Sequence, residues 1–175
     1  MSGQLVIDPV RFARDRVRLA GSLGAADLPR FSEQVGLDPA EGERAGAGDW
    51  RIGYEVAGHL DDHGRPALWL KLDGIVPLRC QRCLGVLITR IDSQREIVLV
   101  AGADEFASFE DEDESSDVIP AVSRLDLRGL LEDEALLGLP IAPRHADGAC
   151  EAESASPVHS EPSSAFAALA KLKRD

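Results

Sequence analysis

The chain of 175 residues carries 31 Asp and Glu against 19 Lys and Arg, a net charge of −12, with 44% apolar and 5% aromatic residues. That length fits one domain with tails, and so acidic a balance excludes phosphate-led nucleic-acid binding except through a local basic patch. Three cysteines without an even pairing framework, and no run of 18 apolar residues, point to a reduced, cytoplasmic protein with no membrane partner. In chain order, Asp8-Pro9 starts a helix, with Asp8 as N-cap and Val10, Ala13 and Val17 on one face. Arg11, Arg14, Arg16 and Arg18 are expected to line it. Gly21 to Asp49 reads as loop with one helical turn after Pro29, anchored by Leu28, Phe31, Val35 and Leu37.

From Trp50 the period changes to two. Trp50, Ile52, Tyr54 and Val56 alternate with polar or small residues, a turn falls at Asp61 to Pro66, and Leu68, Leu70 and Leu72 alternate again, which predicts a hairpin. A third strand follows, with Leu87, Thr89, Ile91, Ser93, Arg95, Ile97 and Leu99 on one face and its middle exposed. Asp104 to Asp117 then packs eight carboxylates into fourteen residues without a cation. Such a run repels itself and resists burial; it reads as a solvated loop or as a mimic of nucleic acid that holds a basic protein. Asp126 caps a late helix with Leu127, Leu130, Leu131 and Ala135 on one face, ending at Gly138. Glu134 projects near that face and needs a partner, for which an arginine beside the cysteines is the candidate; the other reading is a rim residue in water. Glu151 to Ser164 reads as a flexible linker, and Ala165 to Lys173 as a short helix with Phe166, Leu169 and Leu172 on one face.

The most telling spacing is Cys80-Gln81-Arg82-Cys83, at the tip between the second and third strands. Two thiolates three apart grip one soft cation from a single turn, and His145 with Cys150 would close a tetrahedral zinc site if the fold delivers them. Pro140 and Pro143 stiffen the segment leading to His145. Two other readings stand beside the metal: a reduced hairpin turn, and a redox dithiol, which is weakest because the pair does not open a helix. Arg79, Arg82 and Arg90 surround the pair, as a solvated face or as a local RNA contact. No Ser/His/Asp arrangement, phosphate-cradling Gly loop or His-Glu-x-x-His occurs, so neither an enzyme nor a small-molecule substrate is expected.

These residues together resemble a known family. Asp8-Pro9 with its basic helix, Leu78-Arg79-Cys80-Gln81-Arg82-Cys83, Leu131-Glu132-Asp133-Glu134, Leu139-Pro140-Ile141-Ala142-Pro143-Arg144-His145, Cys150, and Phe166-Ala167-Ala168-Leu169-Ala170-Lys171-Leu172-Lys173 stand in the order seen in the YceD family. Those are the large ribosomal RNA subunit accumulation proteins of bacteria, with relatives in plastids. Ser164-Ala165 departs from the Asn-Pro that often precedes the terminal Phe. The resemblance implies a non-enzymatic role in synthesis, processing or stability of large-subunit (23S) ribosomal RNA. Cysteine-richer relatives imply metal binding near the second half-site.

The expectation is thus an α+β fold, a twisted antiparallel sheet, barrel-like in one form, with a few flanking helices. Residues 1–150 form one domain with an acidic insertion at 103–118; 151–164 link it to a terminal helix at 165–175. The zinc ligands are Cys80, Cys83, His145 and Cys150. The contact residues for a partner or RNA are Arg79, Arg82, Glu134, Phe166, Leu169 and Leu172. The partner is a basic large-subunit ribosomal protein or precursor particle that the chain escorts, or ribosomal RNA bound directly through the arginine-bearing tip.

Overall fold

Asp8 opens the first helix as its side chain accepts from the Arg11 amide at 3.0 Å, and Pro9 supplies a preset φ at the first helical position. The computed structural model describes residues 5–35, 49–101 and 117–150. Helix α1 (Pro9–Arg14) is only six residues long. Arg16 turns the chain with φ of 52°, and the Val17 amide returns to the Phe12 carbonyl at 3.1 Å. The expected helix therefore stops early. Arg16 lies in the turn, Val17 is exposed, and Arg18, expected on the helix, begins strand β2 (Arg18–Gly24), which runs on from Gly21 into what reads as loop from the sequence.

Strand β2 pairs antiparallel with β3 (Arg51–Leu60), β3 with β4 (Pro66–Arg79), and β4 with β5 (Val86–Val100). A short β6 (Asp117–Pro120) then joins β5 in parallel, so the five-stranded sheet is mixed, where an antiparallel one is expected. It is open: β2 and β6 are its edges, and it does not close into a barrel. A separate pair, β1 (Val6–Ile7) with β7 (Leu125–Asp126), ties the first described strand to the helix that begins at Leu127. Asp61, at the turn between β3 and β4, accepts from the amides of His63 and Arg65 and from the Arg65 guanidinium.

Helices α1, α2 (Pro29–Val35) and α3 (Leu127–Leu137) cover one face of the sheet. Phe12, Phe31, Leu127 and Leu131 meet Ile52, Val56, Leu70 and Val76 there, with Leu28 and Val35 buried as anchors. α1 lies so close that a Cβ on Gly58 would stand 2.3 Å from the Phe12 carbonyl oxygen. The turn after Pro29 is a seven-residue helix because α3 holds its N-terminus: Glu132 accepts from the Phe31 amide at 3.1 Å and from Arg30 at 2.9 Å. The polar residues on the covered face of β5 have the same kind of explanation. Ser93 donates to Glu134, and Arg95 lies 3.4 Å from Glu134 and 3.0 Å from Asp117. Glu134 is buried, so it is no rim residue, and its partner is Arg95 rather than an arginine beside the cysteines.

The acidic run up to 116, Leu37, the 151–164 linker and the terminal segment with Phe166, Leu169 and Leu172 lie outside the described residues.

Candidate metal centre

Strands β4 and β5 end at a tight turn that the cysteines form by themselves. The Leu84 amide donates to the Cys80 carbonyl and the Cys80 amide to the Gly85 carbonyl, both at 2.9 Å, while Leu84 adopts φ of 62°. The chain leaving α3 passes Pro140 and Pro143 and docks on this turn, where the Gln81 amide donates to the Pro143 carbonyl at 2.9 Å. That bond puts His145 and Cys150 beside the pair, across 62 and 70 positions of sequence.

The ligand atoms of Cys80, Cys83, His145 and Cys150 all lie within 4.8 Å of one another. Cys80 Sγ is 3.8 Å from Cys150 Sγ; His145 Nδ1 is 3.4 Å from Cys83 Sγ and 3.7 Å from Cys150 Sγ. A tetrahedral zinc with usual bond lengths sets sulfur–sulfur edges of about 3.8 Å and sulfur–nitrogen edges of about 3.5 Å. These three separations match the ion's edges, and the four residues fit it in donor type and spacing. Cys80 is buried, and the other three reach the surface in part.

The surroundings suit thiolates. The Cys83 amide, outweighing burial and joined by the amides of His145 and Arg82, brings the Cys80 thiol down to about 5. The Arg82 guanidinium donates from Nε to Cys150 Sγ at 3.0 Å and lowers that thiol as well. Cys83 goes the other way: the Gly85 amide favours its thiolate, but burial and the two neighbouring sulfurs raise it. Cys150 raises the imidazole of His145. The His145 Nε2–H donates to the Val86 carbonyl at 3.0 Å, which leaves the Nδ1 lone pair for a ligand bond. Three thiolates around a divalent ion carry a net −1, which the adjacent Arg82 offsets.

All four expected ligands meet, and the expected arginines divide. Arg82 also reaches Asp147 at 3.3 Å and the His145 and Ala146 carbonyls, and so belongs to the centre itself. Arg79 donates to the Leu84 carbonyl at 3.0 Å and braces the turn. Arg90 pairs with Asp73 at 2.5 Å on the open face of the sheet, away from the cysteines. Sequence reasoning missed the Gly85 amide and the Val86 carbonyl. A glycine two residues beyond Cys83 was the available signal for the first; a backbone carbonyl leaves none.

A family model described as large ribosomal RNA subunit accumulation protein YceD matches residues 68–173, more than half of the chain. The chain belongs to the YceD family. The large ribosomal RNA subunit accumulation protein YceD of Haemophilus influenzae is 24% identical over 177 aligned positions, covering 97% of this chain and 95% of that protein. No solved structure matches. The YceD match begins on β4 and so takes in the cysteine turn, α3, the His145–Cys150 segment and the terminal stripe. Membership carries a role in accumulation of large-subunit ribosomal RNA. Among the described residues no helix is long and apolar enough to cross a membrane.

Proposed function

We propose that the chain is a non-catalytic assembly factor for the large ribosomal subunit that escorts a basic ribosomal protein, alone or on a precursor particle, and carries a structural zinc ion at its tip. The observation that carries the escort reading is where the charge lies. Of 19 Lys and Arg and 31 Asp and Glu, the described residues hold 15 and 17, a net −2, which leaves 4 and 14, a net −10, for the remainder. A near-neutral body bearing acidic segments suits a basic client, which those segments would shield until ribosomal RNA displaces it. The zinc ion, when bound, is a Lewis acid with all four positions taken by protein ligands, which is the composition of a structural site. Cys80, Cys83, His145 and Cys150 would hold it, and Arg82 would balance its charge. A second reading, direct contact with ribosomal RNA, has Arg79, Arg82 and Arg144 at the tip in its favour.

Affinity purification at moderate salt, with and without nuclease, separates the two. The escort reading expects a basic large-subunit protein to remain bound after nuclease; loss of every partner on nuclease treatment overturns it in favour of the RNA contact. Depletion in cells should lower mature large-subunit RNA relative to small-subunit RNA, and an unchanged ratio would count against both.

A further inference from the structure

Beside the cysteine turn, on the helix side, lies a groove with an apolar wall and a polar one. Leu136, Leu139, Pro140 and Ile141 line one side and Gln34 and Gln81 the other, with a volume of about 370 Å³. Ile141 at its lip is 100% exposed and Leu137 nearby 72% exposed. Aliphatic side chains so fully in water at the edge of a partly apolar hollow mark a surface that something covers.

We propose that the occupant is the chain's own terminal segment, with Phe166, Leu169 and Leu172 seated in this groove. Three observations point to this segment rather than to a foreign one. First, the tether starts at the right place. Cys150 meets Cys80 at 3.8 Å, and Gln81, which bonds Pro143, also lines the groove, so the chain sets out from the groove's own end of the molecule. A tether of fifteen residues, Glu151 to Ala165, reaches about 20 Å by random-coil statistics, a length that sets an effective concentration in the millimolar range at that surface. Second, spacings of three residues between Phe166, Leu169 and Leu172 put these side chains on one helical face, the pattern of a helix lying in a groove, and a segment this short does not persist as a helix without such a seat. Third, the YceD family model runs unbroken from the groove-lining Leu78 and Leu136–Pro143 through to residue 173, so groove and stripe belong to one family unit. The inference is independent of which macromolecule the protein serves.

The test uses the full chain. Benzoylphenylalanine is placed at position 166, the protein is irradiated at low micromolar concentration, and the cross-linked peptides are mapped. Cross-links within one chain to residues 136–143 are expected. Cross-links to another face, or only to a second copy, overturn the proposal. Amide exchange of residues 166–173 is measured in parallel. We expect it slowed about tenfold against the free peptide and returned to the free rate in Ile141→Asp, with β3 to β5 protected as before. Ile141 lies wholly in water, so that substitution tests the seat and not the fold. Free-peptide exchange in the wild type overturns the proposal, as does protection that appears only when precursor particles are added, which would make the occupant a partner.

Discussion

Cys80 is buried at the root of the turn while Cys83 and Cys150 stand nearer water, so the four residues that could hold the ion are unequal. Replacing the buried one removes the sulfur on which three backbone amides converge. Native mass spectrometry of protein purified without chelator should show one zinc per chain, and Cys80→Ser should abolish it; a fully folded, metal-free wild type would leave the cysteines as a turn motif. Arg82→Gln keeps the four ligands but loses the charge beside Cys150, and should weaken zinc binding about tenfold or more, read by competition with a chromogenic chelator. Asp61 makes a separate prediction at the opposite hairpin. Burial pushes its carboxyl up, but the Arg65 guanidinium and the Arg65 and His63 amides outweigh that and hold it below the usual range. A carboxyl lowered in the folded state stabilises it above the unfolded value of about 3.9, and that contribution is lost as pH falls through the folded value. The thermal midpoint of Asp61→Asn should thus lie below that of the wild type by a constant margin between about pH 5 and 8, worth about 1 kcal/mol, and the gap should close below about pH 4. A gap that widened in acid would refute the assignment. At this scale the centre was legible: the Cys-x-x-Cys turn and a proline-stiffened His145 are local signals. The role of Arg82 was not, because nothing in Cys80-Gln81-Arg82-Cys83 tells whether its arginine turns outward to a partner or inward to a thiolate 68 positions away.

Among the elements, α3 does the most joining. Its Leu127, Leu131 and Ala135 pack on the sheet, Glu132 caps α2, and Glu134 meets Ser93 and Arg95 on β5. Glu134→Ala would strand Arg95 on the covered face of the sheet. The expected cost is about 2–3 kcal/mol, below the figure for a fully buried pair because Arg95 is 38% exposed, and chemical denaturation measures it. A loss under about 0.5 kcal/mol would mean that the pair is screened like a surface one. The long strands were legible because Ile52, Val56, Leu68, Leu70 and Leu72 alternate cleanly. β2 was not. Its run from Arg18 to Gly24 carries Ala20, Gly21 and Ser22, small residues that erase the period, and a Cβ on Gly21 would come within 2.9 Å of the Tyr54 ring on the neighbouring strand. The pairing partner, not the local sequence, makes that stretch a strand. The early helix was overextended for the converse reason: its apolar spacing continues to Val17, but the chain turns at Arg16 to reach β3.

For the molecule as a whole, the topology separates two kinds of surface. The described chain breaks off at Ala101, just past β5, and resumes at Asp117, which pairs with Ile97, while the cysteine turn and its arginines occupy the other end of β5. A fifteen-residue strand puts about 45 Å between them. Exchanging the carboxylates of Asp104 to Glu114 for amides should therefore slow association with a basic client about tenfold at 50 mM salt and change little at 500 mM, read by stopped-flow, while zinc content stays the same. Equal slowing at both salts would place recognition in shape rather than charge. The two ends were each legible as composition; their opposition was not, since it follows from β6 pairing in parallel with β5, a choice that the four residues Asp117–Pro120 do not encode alone. A single hydrogen-bonded strand running between the two ends makes β5 a strut that holds the cysteine turn at a fixed distance from the point where β6 pairs.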